Sequence, residues 1–243
     1  MPAITAETLA RLRAFDTPTI CNLIELFEVR PHNTGYMDQR IQAAFPEMPP
    51  MVGFAATATF RAAAPPHAGA SYASLAEQVE RFAELDGPAV VVFQDLDDPS
   101  AAATFGEVMC STYQAFGAVG LIISGSGRDL DQVRVLGFPV FTNGTVCAHG
   151  YTYIPSVHVP VRVGGVTIHP NDLLHGDLNG VTTIPHEIAA EVAELGPAFV
   201  AAEQIVIQVV RSGSCSVAQF RAALGETQAQ IAALRQQVTR RRS

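Results

Sequence analysis

Tryptophan and lysine are both missing from the 243-residue chain, whose fifteen basic residues are all arginine. Without lysine no side chain can form a Schiff base with a carbonyl substrate, which argues against lysine-dependent aldol chemistry. Aromatic residues are few, at 7%, so Ala, Val, Gly and Ile must fill the core, which suits close packing of helices on a sheet. Charge is scarce too. At 16% charged and 48% hydrophobic the chain can bury a sizeable core and lacks the composition of a disordered segment. Acidic residues outnumber basic ones, 23 to 15, for a formal net charge of -8. That balance disfavours a phosphate backbone, so no nucleic-acid partner is expected. The four cysteines, Cys21, Cys110, Cys147 and Cys215, are scattered without a CxxC pair, against a zinc or disulfide framework. Cys21 and Cys110 sit in apolar helical patterns and read as buried free thiols. No apolar run approaches the roughly 18 residues of a membrane-spanning helix, and no charged-then-apolar leader opens the chain. A cytoplasmic protein without a membrane partner is the expectation.

Several catalytic signatures are also missing. There is no GxSxG, no HExxH, no P-loop lysine and no GxGxxG opening a helix, so phosphoryl transfer and nicotinamide chemistry find no support. Nor is there a glycine-rich loop suited to S-adenosylmethionine.

What is present alternates between strand and helix. Helices are expected over 5–14 and 18–27, the second with Thr17 as N-cap and Pro18 at its first position. Residues 30–50 read as an irregular covering loop, 52–60 as a strand and 70–85 as an amphipathic helix. Two all-apolar stretches, 89–93 and 118–123, have the pattern of strands covered on both faces. A helix from Gly106 to Phe116, stopped by Gly117, lies between them. A short helix at 130–136 and a segment at 138–142 follow. The alternating Val157, Val159, Val161 and Val163, the Gly164-Gly165 turn, and 166–169 and 181–184 form a β-rich unit. A helix opens at Pro185, with an interruption at Gly196-Pro197, and resumes over 198–211. Ser216 and Gln219 make a capping box for a last helix, broken near Gly225, whose arginines (Arg235, Arg240, Arg241, Arg242) suit a helix C-terminus. This order predicts an α/β fold with a parallel sheet core and chemistry in the loops at the strands' carboxyl ends. One domain over 1–243 is the simplest organisation, with its core at about 5–205 and a helical tail at about 206–243.

Two segments stand out as candidate sites. Gly125-Ser126-Gly127-Arg128-Asp129 follows a buried strand. Arginine offers a planar fork to a carboxylate or enolate, and aspartate a hard oxygen to a divalent ion. The plain alternative is a pair of surface charges on a tight turn. Gly106-Glu107-Val108-Met109 starts a helix, where free amides and the helix dipole attract an anion. Glu107 is also favoured there for helical reasons alone. His169, His175 and Asp177 are near neighbours, but their spacing matches no metal motif, and surface or structural roles fit them better.

The run Gly106-Glu107, Gly117, Gly120, Gly125-x-x-Arg128-Asp129 resembles the RraA-like family, which includes 4-hydroxy-4-methyl-2-oxoglutarate aldolases and the regulator of ribonuclease E activity A. Thr17-Pro18-Thr19-Ile20, Val52-Gly53-Phe54-Ala55 and the Asp172, Asp177, Gly180, Pro185 pattern extend the resemblance over about residues 5 to 205. It implies a single α/β/β domain of the swivelling type, with a central partly parallel sheet, assembled as a homotrimer or dimer of trimers. It implies that Asp129 holds Mg2+ or Mn2+ largely through waters and that Arg128 meets the keto oxygen of a pyruvyl group. The Gly106, Glu107, Val108 and Met109 backbone would cradle that group's carboxylate, and Glu107 would orient a metal-bound water. Glu203 of a neighbouring subunit is the nearest match to a completing acid. The implied activity is retro-aldol cleavage of a 4-hydroxy-2-oxoacid to pyruvate, with oxaloacetate decarboxylation alongside. The alternative is a non-catalytic regulator of the ribonuclease E inhibitor type. The sequence departs from the family pattern at Ser124, where aldolases often have Asp or Asn, at Cys21-Asn22 in the early helix, and in the lengths of the 30–50 loop and the tail after Arg211.

Overall fold

The computed structural model describes residues 4–242. Ala3, which the sequence pattern adds to the apolar stripe of the first helix, and the side chains of Arg241 and Arg242 lie outside the described residues. A seven-stranded sheet forms the centre. It contains β1 (Gln42–Ala43), β2 (Met51–Phe60), β3 (Ala89–Asp95), β5 (Gly120–Ile123), β7 (Val140–Thr142), β11 (Leu173–Asp177) and β12 (Gly180–Ile184). The order is β1-β7-β5-β3-β2-β11-β12. The inner four strands, β7 to β2, are parallel, and the flanking pairs are antiparallel.

Alternation along β2 and β3 divides the two faces. On one side Ala56, Ala58 and Phe60 of β2 and Val91 and Phe93 of β3 pack with Cys110 and Tyr113 of α4 (Glu107–Ala115) and Val133 of α5 (Leu130–Val135). On the same side Val52 and Phe54 pack with α1 (Ala6–Leu12), α2 (Thr17–Glu25), α6 (Ala189–Arg211) and α7 (Val217–Arg242). On the other side Ala55, Val90 and Val92 meet Val161, Val163 and Ile168. These belong to the hairpin of β9 (Val161–Val163) and β10 (Val166–Ile168). The result is a helix layer, a sheet and a hairpin, the expected α/β/β arrangement. The hairpin turns at Gly164 (φ 54°) and Gly165 (φ 80°), and two consecutive positive-φ residues are what a two-residue turn matched to strand twist demands.

Several elements differ from the sequence-based expectation. Asp16, not Thr17, caps α2: its side chain accepts from the Thr19 amide at 2.8 Å, and Thr17 is already helical. The helix expected over 70–85 is shortened to α3 (Leu75–Glu80), because the Ser74–Glu77 capping box sets its start; one 3-10 turn, 81–84, follows. Before it, Ala73 bridges to Ile154. Of the 157–163 alternation only β9 is a strand, although Val157 bridges to Ala58. β11 was not anticipated, since its His-Gly-Asp reads as polar, yet all five of its residues are buried.

Neither Gly196-Pro197 nor Gly225 breaks a helix. Around the first, packing outweighs propensity: Leu195, Gly196 and Phe199 are all buried, and an added Cβ on Gly196 would strike the Phe15 ring at 2.3 Å. The continuous helix also corrects the expectation about apolar runs. Residues 186–211 are long and apolar enough in composition to cross a membrane, while Ala189, Val192, Ala193, Leu195 and Phe199 pack into the core. Cys110 is fully buried, as expected, while Cys21 is only half-buried. The Ser216–Gln219 capping box forms, with Gln219 Oε1 accepting from the Ser216 amide at 2.9 Å.

Candidate functional site

A small parallel sheet absent from the sequence reading builds the site. β4 (Ala103–Phe105), β6 (Ser126–Gly127) and β8 (Gly144–Thr145) lie side by side. Phe105 pairs with Gly127, and the Arg128 amide donates to the Phe105 carbonyl at 3.1 Å. The register therefore sets Gly106, which caps α4, directly against Arg128 and Asp129. Sequence alone could place the two segments in adjacent loops but not fix this register.

The approach is close enough to require glycine. A Cβ on Gly106 would sit 2.4 Å from Asp129 Oδ2 and 3.2 Å from Arg128 Nε. Asp129 has φ 56° and ψ 36°, a left-handed conformation that aspartate tolerates better than most residues. It begins α5 while turning its carboxylate back onto α4. Oδ2 accepts from the Glu107 amide at 3.1 Å and lies 3.7 Å from Arg128 Nε. Both side chains are a little over one-third exposed.

Gly106, Val108, Met109, Arg128 and Asp129 line a cavity of about 210 Å³ together with Ala103, Thr104, Phe105, His149 and Thr152. Most of the expected site residues are thus brought together, with two corrections. The Glu107 amide is already used by Asp129, so only the Val108 and Met109 amides remain in the first turn to receive an anion. The Glu107 side chain is exposed and is not part of the cavity lining, since as the first helical residue it turns its main chain, not its carboxylate, to Asp129. Glu203 lies on α6, where burial and the nearby Asp16 raise its pKa; it does not line the cavity of its own protomer.

A divalent ion fits what remains. Asp129 Oδ1 has no partner among the described residues, and no group of three or more His, Cys, Asp or Glu able to hold a metal is found among them. A single free carboxylate oxygen suits a hard cation that keeps most of its waters, as Mg2+ does, and not a closed structural zinc site.

The histidine-aspartate neighbours of β11 are structural. His175 is fully buried; Nδ1 lies 2.9 Å from Thr17 Oγ1 and Nε2 lies 3.2 Å from the Leu12 carbonyl. Since a carbonyl only accepts, Nε2 carries the proton and Nδ1 accepts from the hydroxyl. Asp177 accepts from the Thr17 amide at 2.9 Å. Ser124 faces away from the Arg128 cavity. Its Oγ accepts from the Asp95 amide, and it lines a separate cleft of about 290 Å³ with Arg40, Asp95, Asp98 and Arg162. A further cleft of about 350 Å³ lies at Thr167–Glu187. Neither has a helix N-terminus opposed to a cation, so the smaller cavity at Arg128 is the better site for small-anion chemistry. From the sequence His149 reads as a surface or structural histidine and Thr152 carries no role, because only tertiary contacts bring their loop to the cavity.

A family model described as RraA-like, Aldolase/RraA, matches residues 17–183. By sequence the chain is 35% identical over 99 residues to a protein of Halalkalibacterium halodurans named as a candidate 4-hydroxy-4-methyl-2-oxoglutarate aldolase, covering 40% of this chain and 47% of that one. It is 31% identical over 93 residues to an uncharacterised protein of Methanocaldococcus jannaschii, covering 38% and 45%. The chain thus spans about half the length of these relatives. In structure it is similar to an uncharacterised protein of Pseudomonas syringae pv. tomato, with a TM-score of 0.71 at 24% identity over 90% of this chain and 94% of that one. It is also similar to Streptomyces coelicolor RraAS2, described as an unusual member of the RNase ES inhibitor RraA family, with a TM-score of 0.64 at 23% identity over 82% and 94%. At these identities the two structures bear on the fold alone.

Proposed function

The chain belongs to the RraA-like family, and from that premise we propose that it is a divalent-metal-dependent lyase that cleaves a 4-hydroxy-2-oxoacid to pyruvate, with oxaloacetate decarboxylation as a second activity. The observation that supports this reading is the convergence, on one cavity, of the Arg128 guanidinium, the unused Val108 and Met109 amides and the free oxygen of Asp129.

Both reactions break the C3–C4 bond of a 2-oxoacid and leave a pyruvate enolate, so both need positive charge fixed where the keto oxygen becomes anionic. Arg128 supplies it as a cation held in place before the reaction. The α4 amides take the substrate carboxylate, whose charge also suits the helix dipole. Mg2+ or Mn2+ held by Asp129 would add Lewis acidity at the same oxygens. In a homotrimer or dimer of trimers, Glu203 of a neighbouring subunit would complete the site. Nothing in this chemistry needs lysine, and the chain has none.

Pyruvate release from oxaloacetate and from 4-hydroxy-4-methyl-2-oxoglutarate, with and without Mg2+, tests the reading. Metal-dependent turnover that drops at least about 100-fold in Asp129→Ala is expected, the order seen when one group stabilising a developing oxyanion is lost. No metal-dependent turnover with any 2-oxoacid would instead favour a non-catalytic regulator of the ribonuclease E inhibitor type.

A further inference from the structure

Retro-aldol cleavage also needs a base for the 4-hydroxyl proton, which Arg128, the α4 amides and Asp129 do not themselves supply. We propose that His149 is that base, an inference that rests on the lyase reading above. Five polar side chains line the cavity: Thr104, Arg128, Asp129, His149 and Thr152. Arginine cannot accept a proton and threonine is no base at neutral pH. Asp129 is committed, one oxygen to the Glu107 amide and the other to the cation. His149 remains.

Its ring is set up for the task. Nδ1 lies 2.9 Å from the Gly150 carbonyl, which can only accept, so Nδ1 carries the proton and the neutral ring presents a bare Nε2 lone pair. The loop that bears it is pinned at several points. The Ala103 amide donates to the Ala148 carbonyl at 2.8 Å, the Tyr151 amide to the Ala62 carbonyl at 3.1 Å, and Arg61 and Tyr153 exchange backbone hydrogen bonds. The Thr152 hydroxyl donates to the His149 carbonyl. Gly150, with φ 53°, passes so close to Ala62 that a Cβ would lie 2.7 Å from its carbonyl oxygen. His149 is thereby held between the end of β2 and the start of β4, on a different segment from Arg128 and Asp129. Thr104, 1% exposed and also in the cavity lining, has a hydroxyl without a partner among the described residues. The charged groups near the loop are Arg128 and Asp129 in the cavity, and Arg61 and Asp97 at the loop base, where Asp97 accepts from the Ala62 and Ala63 amides.

In the step, Nε2 takes the proton of the 4-hydroxyl. The O–H electron pair becomes the new C=O of the leaving carbonyl product, the C3–C4 bond breaks, and its electrons form the enolate whose oxygen faces Arg128. The imidazolium then returns the proton to C3, which yields pyruvate and the neutral ring. No co-reactant is needed. Oxaloacetate has no 4-hydroxyl. Its C3–C4 bond breaks with loss of CO2, and water protonates the enolate, so this reaction does not require the base.

The two substrates therefore separate the roles. His149→Asn keeps an amide donor where Nδ1 sits and removes Nε2. It is expected to lower kcat for 4-hydroxy-4-methyl-2-oxoglutarate by about 100-fold or more, in the range of general-base contributions. Oxaloacetate decarboxylation, which does not use the base, should fall by a far smaller factor. In the unaltered protein the His149 imidazole 15N resonances should move on addition of 4-hydroxy-4-methyl-2-oxoglutarate and stay in place on addition of pyruvate. An equal fall in both activities, or no change in either, overturns the assignment, as do ring resonances that ignore the longer acid. Absence of both activities from the unaltered protein overturns the lyase reading itself, and the base with it.

Discussion

At the scale of single residues the site depends on one missing side chain. Gly106 is extended (φ -155°), a conformation any residue adopts, so its need for glycine is a matter of space. A methyl group 2.4 Å from Asp129 Oδ2 must push the carboxylate off the Glu107 amide and carry Arg128 with it. Displacement of about an ångström at a catalytic group typically costs on the order of 100-fold in rate. Gly106→Ala is expected to lose pyruvate release by about that factor while its far-UV circular dichroism stays unchanged; unaltered turnover would mean that this contact does not set the geometry. Cys110 shows a buried group kept out of the chemistry. Burial, with Asp129 adding to it, pushes its thiol up to about 12, so it stays protonated and inert beneath the site.

At the scale of elements, local signals were reliable where a short motif settled them and unreliable where packing did. The capping box at Ser216 and the Gly164-Gly165 hairpin depend on neighbours within a few residues, and sequence can read those; the box at Ser74, equally local, is masked in the sequence by the amphipathic pattern over 70–85. Asp16 is a related case. Both Asp16 and Thr17 are cap-forming residues, and the choice fell to Asp16 because the Thr17 hydroxyl and amide are engaged by His175 and Asp177 of β11. Asp16→Ala removes the capping bond to Thr19, and a loss of about 1 kcal/mol in unfolding free energy is expected from urea denaturation. A loss near zero would show that β11 anchors the start of α2 without the cap. The continuity of α6 through Pro197 is the opposite case, in which a local breaker is overruled by the buried residues around it.

For the molecule as a whole, the buried His175 ties stability to pH. Burial holds its pKa below the ordinary histidine value, with the Leu12 carbonyl, Asp177 and Asp16 among the groups pulling the other way. The folded state therefore keeps the ring neutral down to a lower pH than the unfolded chain does. Its contribution is complete above the unfolded value of about 6.5 and declines as the pH falls below it. The urea midpoint should drop between pH 7 and pH 5, and more steeply than in His175→Gln; parallel curves for the two proteins would rule the residue out as the source.

The amino-acid sequence by itself determined the chemical vocabulary of this protein. It has no lysine for a Schiff base, an Arg-Asp pair behind a buried strand, a helix start with free amides, and apolar stretches that had to become covered strands. These follow from residue type and short-range periodicity, which act within one element. Only the tertiary structure decided which of these groups meet. The parallel pairing of β4 with β6 placed Gly106 against Asp129 and diverted the Glu107 amide, a β11 that reads as polar extended the sheet beyond β2, and the 148–153 loop brought His149 to the cavity. Those contacts join segments up to some tens of residues apart or more. Their register is fixed by the complementarity of two surfaces, and no single stretch of the chain contains both.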